Sequence, residues 1–182
     1  MGYEIALKKA WDAVLKSGAK NRYIKFFNDE YEIDYNQVNI ISLSCNSPAK
    51  DYYKLLILHY IANENKISKI TSNNLISFKE FEGGEVYFSA FKKRAIDPII
   101  RKYGDNPAAI FEKAGYLNAE KLEMDAYAIS IGVFEKIKIA VIMRSKDDEF
   151  PADCNMLFNP EAKFILSTED IAVLGGITAS LL

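Results

Sequence analysis

Apolar residues recur every three or four positions near the start of the chain and at every second position in its last third. The first spacing is typical of an amphipathic helix and the second of a half-buried strand. One face of the first predicted helix consists of Leu7, Ala10, Trp11, Val14 and Leu15. Gly18 follows this face and is the expected end of the helix.

The middle of the chain contains a segment that is apolar on almost every side. Residues 52–62 read YYKLLILHYIA, which predicts a central helix covered by its neighbours. Before it, residues 23–43 predict two short strands that turn at Asn36-Gln37, because apolar and polar residues alternate on both sides of that turn.

Glycine and proline divide the next segment. Residues 75–81 are expected to be a short strand or extended segment that leads into Glu82-Gly83-Gly84. Asp97-Pro98 ends or kinks the helix that precedes it, since proline lacks a backbone N–H and restricts the residue before it. Helical segments are predicted at residues 86–95 and 99–103. Asn106-Pro107 begins another helix, with Asn106 as the cap residue and proline at the first helical position, and Gly115 ends it.

The last third predicts a small antiparallel sheet followed by a helix. Its strands are predicted at residues 124–134, 137–144 and 155–158, and the short connections between them favour antiparallel pairing. Ser167 and Asp170 form a capping-box pattern, and Gly175-Gly176 predicts close packing of the helix that follows. The face of that helix carries Ile171, Leu174, Thr178 and Leu181. The predicted fold is therefore α+β, with helices against one face of a small antiparallel sheet, in a single domain spanning residues 1–182.

Composition narrows the possible partners. The chain has 182 residues, 49% of them apolar, and a formal net charge of -2, which argues against binding to nucleic acid or to an anionic membrane. No apolar stretch reaches the roughly 20 residues that span a bilayer, and the start of the chain lacks the apolar core of a signal peptide. We expect a soluble, cytoplasmic protein.

The two cysteines are far apart in sequence. Structural zinc sites and iron–sulfur clusters that rest on thiolates need several clustered cysteines, so we expect neither in this chain. A disulfide between Cys45 and Cys154 is possible but is not expected in a reducing compartment. Two buried free thiols are the preferred interpretation.

Several phrases of the sequence occur together in an order that resembles one known family. These are LILHY (56–60), SFKEFEGGEVYFSAF (77–91) with Arg94 and Pro98 after it, DDEFPADCNMLFN (147–159), and Glu169-Asp170-Ile171. The order resembles the family catalogued as domain of unknown function 3786, which is found in anaerobic bacteria and archaea and has no assigned activity. In some relatives, a domain similar to this one is fused to a cysteine-rich iron–sulfur segment of the type seen with corrinoid proteins. This chain lacks the cysteines of that segment. The resemblance implies an intact domain and a corrinoid or tetrapyrrole-type cofactor as a possible partner.

His59 is the only histidine, so any imidazole base or ligand must be this residue. It lies on the apolar helix predicted at residues 52–62. The simpler interpretation is a core histidine that bonds a backbone carbonyl, because buried polar groups nearly always have a partner. The functional interpretation is an axial ligand or a base that faces a pocket. No nucleophile motif accompanies the histidine, so nucleophilic catalysis is not expected.

Three consecutive acids precede Phe150-Pro151 between two predicted strands. Asp147, Asp148 and Glu149, joined by Asp153, could bind a hard cation such as magnesium, calcium or manganese. A structural turn with ion pairs is the simpler interpretation, because charge runs beside strands are usually solvated or paired. Arg94 is the expected counter-ion, since its guanidinium can bind a carboxylate in two places.

The Glu82-Gly83-Gly84-Glu85 segment could offer backbone N–H groups to an anion. The flanking glutamates would repel a phosphate, and the sequence lacks phosphate-binding motifs here, so a plain turn is favoured.

Aromatic residues surround this turn, and their helical spacing is more typical of a core than of a cofactor site. If Phe88 and Phe91 border a cleft, Arg94 lies one helical turn further along, at its polar end. The aromatic residues are Phe78, Phe81, Tyr87, Phe88 and Phe91.

Two functional hypotheses follow, and a protein-interaction module is a third. The first is a non-catalytic domain that binds a small molecule or cofactor as an accessory protein of anaerobic metabolism. The second is an enzyme in which Asp148 and Glu149 hold a metal or act as acid and base. The candidate ligand-binding residues are His59, Phe78, Lys79, Phe88, Phe91, Arg94, Asp148 and Glu149.

Overall fold

The computed structural model describes residues 3–16, 21–70 and 74–182. It confirms an α+β fold, with two antiparallel sheets where the sequence predicted one. The helices are α1 (Glu4–Leu15), α2 (Asp51–Asn63), α3 (Gly84–Phe91), α4 (Asp97–Tyr103), α5 (Ile110–Tyr116), α6 (Ala162–Ile165) and α7 (Thr168–Leu181). No helix in these ranges is long and apolar enough to cross a lipid bilayer.

The first sheet has the strand order β1-β2-β3-β4. Its strands are β1 (Arg22–Phe26), β2 (Asp29–Asp34), β3 (Asn39–Ser42) and β4 (Ser47–Pro48). The turn between β2 and β3 lies where the sequence predicted it, and the Asp34 carboxylate accepts hydrogen bonds from the N–H groups of Asn36 and Gln37. The strand β1 was not predicted, although Ile24 and Phe26 are buried and alternate with exposed residues.

The second sheet has the strand order β5-β9-β8-β7-β6, with all neighbours antiparallel. Its strands are β5 (Ile76–Ser77), β6 (Glu120–Leu122), β7 (Tyr127–Phe134), β8 (Ile137–Arg144) and β9 (Asp153–Phe158). The backbone N–H of Phe27, just after β1, donates to the carbonyl of Val133 in β7 over 2.8 Å. This bond joins the two sheets beside the irregularity in β7 between Gly132 and Phe134.

The helices α1 and α2 pack together beside the sheets. As predicted, α2 is largely buried, with Leu56, Ile57 and Leu58 almost fully covered. In α1 the buried residues are Ala10, Trp11 and Val14, whereas Leu15, which was predicted on the same face, is exposed. Gly18, the predicted end of α1, lies outside the described residues.

A bent helical segment runs from α3 to α4. The sequence placed an end or kink at Asp97-Pro98, and the structure shows a π-helical segment, Lys92–Ile96, directly before it. Pro98 has no N–H to donate to the Arg94 carbonyl four residues earlier, so the regular α-helical bonding cannot continue through this point. The wider π turn keeps the chain helical and directs it into α4.

The terminal helix α7 begins with the predicted capping box. The Asp170 N–H donates to Ser167 Oγ over 3.2 Å, and the Ser167 N–H donates to the Asp170 carboxylate over 3.1 Å. Of the two predicted close contacts, the one at Gly175 is confirmed, because a Cβ there would lie 2.5 Å from the ring of Phe91. The prediction was wrong for Gly176, where a Cβ would meet nothing within 4 Å.

Several predicted boundaries shift by a few residues. Residues 75–81 contain only the two-residue strand β5, followed by a 3₁₀ turn at Phe78–Glu80. A second 3₁₀ turn, Pro107–Ala109, precedes α5, and α5 ends one residue after Gly115. Short turns of this kind do not alter the hydrophobic spacing, so the sequence pattern does not distinguish them from helix or strand ends.

Candidate functional site

A cleft of about 1020 Å³ lies along α7, between α3 and the beginnings of α1 and α2. We call it the α3–α7 cleft. Phe78, Phe91 and Arg94, three of the candidate binding residues, line it. The other lining residues are Tyr3, Tyr52, Phe81, Glu82, Gly83, Tyr87, Ala90, Lys163, Leu166, Ser167, Thr168, Glu169, Ala172, Val173, Gly176, Ile177 and Ser180.

The two helices that form the cleft run parallel to each other. At one end, Thr168 Oγ1 donates to the Glu82 carbonyl over 2.7 Å. In the middle, Gly175 packs against Phe91 and Ala95. Beyond the other end, Tyr103 donates its hydroxyl hydrogen to the carbonyl of Leu182. Because the contacts advance along both segments together, the cleft follows their common direction.

Stacked aromatic rings form the base of the cleft. Phe78 and Phe91 lie face to face, with ring centroids 4.1 Å apart and planes 1° apart. Phe81 meets Phe158 of β9 edge to face at 5.5 Å, which ties this layer to the second sheet. Phe88 does not line the cleft. The Lys79 Nζ lies 4.6 Å from the centroid of the Phe88 ring, so these two candidates form a cation–π pair outside the cleft.

The double glycine before α3 shapes the rim of the cleft. Gly83 has φ +70°, which glycine adopts at little cost. At Gly84 a Cβ would lie 2.0 Å from the Phe78 carbonyl oxygen, so only glycine allows the turn to fold against residue 78. The segment is the plain turn that the sequence favoured, and it holds Glu82 against α7.

Arg94 projects into the cleft from the π-helical segment. It is exposed, and it makes no hydrogen bond or ion pair with any residue in the described ranges. The predicted role as counter-ion to Asp147, Asp148 and Glu149 is therefore wrong. Those acids lie beyond β8, and they do not line the cleft.

His59 bonds a carboxylate and not the backbone carbonyl that the simpler interpretation predicted. Its Nδ1 lies 2.9 Å from Asp170 Oδ1 and 3.1 Å from Asp170 Oδ2. The His59 side chain is 38% exposed and that of Asp170 is 12% exposed. The hydrogen bond that the His59 Nδ1–H donates to the Asp170 carboxylate raises the pKa of His59 above its usual value of 6.5. Asp170 also caps α7 through Ser167, so His59 is linked to the cleft wall without lining it.

We expect this pair to make stability depend on pH. Because the pKa of His59 is higher in the folded protein, the pair stabilises fully below the unfolded-state pKa of about 6.5, and its contribution is lost as pH rises through the folded-state value. The melting temperature of the wild type should therefore exceed that of His59→Gln at pH 5.5, with a smaller difference at pH 8.5. Differential scanning calorimetry across this range would measure it.

The matched control is the same comparison in an Asp170→Asn background. There the carboxylate partner is missing, so His59→Gln should change the melting temperature by a similar amount at every pH. Wild-type and His59→Gln curves that run parallel between pH 5.5 and 8.5 would contradict the assignment.

The acidic run forms an Asx-type turn between β8 and β9. The Asp147 carboxylate accepts hydrogen bonds from the N–H groups of Glu149 and Phe150, over 2.9 and 2.7 Å. Asp148 and Glu149 are exposed. Within residues 3–16, 21–70 and 74–182, no three His, Cys, Asp or Glu side chains are placed to hold a metal ion together. A metal at Asp147, Asp148, Glu149 and Asp153 stays a prediction without a converged set of ligands.

The cysteines differ in environment. Cys154 is buried, as predicted, and burial raises the pKa of its thiol to about 12. Cys45 is exposed, so its predicted burial was wrong. It lies in the turn between β3 and β4, where hydrogen bonds with the Ser42 and Ser47 hydroxyls lower the pKa of its thiol.

Sequence reasoning missed the whole contribution of α7 to the cleft. The residues involved, Glu169, Val173, Gly176 and Ser180, are spaced by four, three and four positions, so they share one face of the helix. The sequence held no signal for this open face, because the glycine pair predicted close packing at both positions.

Comparison with known proteins identifies a matching family. A family model described as a domain of unknown function (DUF3786) matches residues 8–180. No curated protein matches the chain, and no solved structure matches it.

Proposed function

Since the chain belongs to the DUF3786 family, whose description states no activity, we propose from the geometry of the cleft that it is a non-catalytic domain that binds a small molecule or cofactor. The observation that carries the proposal is the α3–α7 cleft itself. Its volume of about 1020 Å³ is at the upper end of the roughly 300–1,000 Å³ typical of small-molecule sites.

The lining of the cleft supports binding. Such sites are mostly apolar and aromatic, with a few polar groups that fix the orientation of the ligand. Here rings and small aliphatic side chains form most of the surface, and Arg94 supplies a cation without a protein partner in the described ranges. An unpaired guanidinium beside an apolar surface is well placed to bind a carboxylate or phosphate of a ligand.

Binding is better supported than catalysis. The acids proposed for acid–base or metal chemistry, Asp148 and Glu149, do not line the cleft, and neither does His59. An accessory role in anaerobic metabolism, with a corrinoid or tetrapyrrole as ligand, extends the proposal, because such macrocycles combine broad faces with polar side groups, which are carboxylates in protoporphyrin IX and amides in cobinamide.

A cleft-filling variant tests the proposal. Gly176→Leu places a side chain where a Cβ meets no atom within 4 Å, so it should occupy the cleft without disturbing the core. We expect at least one of protoporphyrin IX, cobinamide and dodecanoate to raise the melting temperature of the wild type saturably. At a concentration of 100 Kd the gain is about 2.7 kcal/mol, or about 5–11 °C for a chain of this size.

Gly176→Ala is the matched control, because it adds only one methyl group. It should bind the same compound with an affinity close to that of the wild type, while Gly176→Leu should bind it at least about tenfold more weakly. A flat thermal response to all three compounds, or a response that Gly176→Leu leaves unchanged, would overturn the proposed function.

A further inference from the structure

We propose that the ligand of the α3–α7 cleft is an elongated amphiphile, with an anionic carboxylate or phosphate group at Arg94 and an apolar body that extends along α7 towards Phe81. This inference rests on the proposed function and adds the chemical class of the ligand and its direction in the cleft.

The shape of the cleft follows from the two helices that form it. Along residues 83–94, Gly83, Tyr87, Ala90 and Arg94 line the cleft with the same spacing of four, three and four positions, and Phe91 lies beside them at its base. Each helix therefore presents one straight stripe of residues to the cleft. Glu169 and Ser180 are eleven positions apart on α7, which corresponds to about 16 Å at about 1.5 Å per residue. A cleft of this length suits an extended molecule.

The middle of the cleft is apolar. Between its ends the stripes carry Tyr87 and Ala90 on one side and Ala172, Val173 and Gly176 on the other. Tyr87 and Val173 are also among the large apolar residues exposed on the protein surface. An apolar ligand body would cover this surface and remove it from water.

The two ends of the cleft carry different charges. At the end where both helices begin, Glu82 and Glu169 lie near Lys163, whose Nζ is 5.9 Å from the centroid of the Phe81 ring. At the other end, the charged lining residue is Arg94. Ser180 lies at the same end, on the stripe of α7. The two glutamates outnumber Lys163 at the first end, whereas Arg94 is unopposed at the other, so an anionic group is favoured at Arg94 and the ligand has a defined direction.

The backbone at Arg94 supports a binding role. Arg94 lies within the π-helical segment Lys92–Ile96, and single π turns inside helices are frequent at functional sites. The guanidinium can donate two parallel hydrogen bonds to a carboxylate or phosphate. The π turn thus places the Arg94 guanidinium at the end of the apolar α3–α7 cleft. No carboxylate of the described residues pairs with this guanidinium.

The test compares dodecanoate, dodecyl phosphate and dodecanol, each below its micellar concentration, by isothermal titration calorimetry. The three share one apolar body, so their affinities differ through the head group. We expect the wild type to bind at least one of the two anions about tenfold or more tightly than dodecanol, as is typical for a hydrogen-bonded ion pair. The anion whose affinity exceeds that of dodecanol by the larger factor shows whether the site prefers a carboxylate or a phosphate.

Arg94→Ala should remove this preference, so that anion and alcohol bind with similar affinity. The matched control is Lys93→Ala, which removes a neighbouring exposed cation that does not line the cleft and should leave the preference intact. Equal effects of the two substitutions would show a nonspecific charge effect and overturn the assignment of Arg94.

The failure of this inference can be told apart from the failure of the proposed function. If dodecanol binds as tightly as both anions, and Gly176→Leu excludes all three, the cleft binds ligands but the anion-binding role of Arg94 is overturned. If none of the three binds while protoporphyrin IX or cobinamide does, the elongated amphiphile is overturned and the proposed function stands.

Discussion

Replacing Phe91 by alanine is expected to lower the free energy of unfolding by about 3–5 kcal/mol, the typical cost of removing a buried aromatic side chain. The Phe91 ring is almost fully buried, stacks on Phe78 with centroids 4.1 Å apart and contacts Phe158 of β9. Its loss would leave a cavity between the helices and the second sheet. Chemical denaturation with urea, followed by circular dichroism, would measure the change.

The control is Phe164→Ala, which truncates the same side chain at a site that is 61% exposed. Surface substitutions usually change stability by no more than about 0.5 kcal/mol. A loss for Phe91→Ala that is no larger than the loss for Phe164→Ala would contradict the packing described for the cleft.

Adjacent glycines in α7 are expected to respond to alanine with opposite signs. Alanine is favoured over glycine by about 1 kcal/mol inside a helix, so Gly176→Ala should stabilise the protein by about that amount, because the added methyl group meets no atom within 4 Å. At Gly175 the methyl group would lie 2.5 Å from Phe91, whose ring is fixed by its stacking on Phe78. Overpacking of this kind costs about 1–3 kcal/mol, so Gly175→Ala should be destabilising on balance. The two variants should therefore differ by about 1–3 kcal/mol, which corresponds to melting temperatures about 2–12 °C apart.

A double-mutant cycle connects these two predictions. In the Phe91→Ala background the ring is absent, so Gly175→Ala should no longer be destabilising and should recover the gain in helix propensity. Additive effects of the two substitutions would show that the glycine and the ring do not contact each other.

Much of the fold was predictable because its signals are local. Pro98 marks the interruption between α3 and α4, and Ser167 with Asp170 marks the start of α7, since each acts through the hydrogen bonds of its own backbone. The spacing of apolar residues likewise predicted β7 and β8. The strand β1 and the division into two sheets depend on pairing between strands, which the spacing within one segment does not specify.

The site was only partly predictable, for a related reason. Phe91 and Arg94 were identified as neighbours one helical turn apart, and both line the cleft. Local spacing gave no information about which segment packs opposite them, so α7 was missed. The partner of His59 was missed for the same reason, because Asp170 is 111 positions away in sequence.

The hydrogen bond between Thr168 and Glu82 joins positions 86 residues apart, and this separation has a consequence during synthesis. At about 5–20 residues per second, a ribosome needs about 4–17 s to proceed from one position to the other. Throughout that interval α3 has been made but α7 has not, so the apolar side of α3 that α7 later covers is open to solvent and to other chains. The nascent protein is therefore expected to be most prone to aggregation, and most in need of a chaperone, in the seconds before the α3–α7 cleft can form.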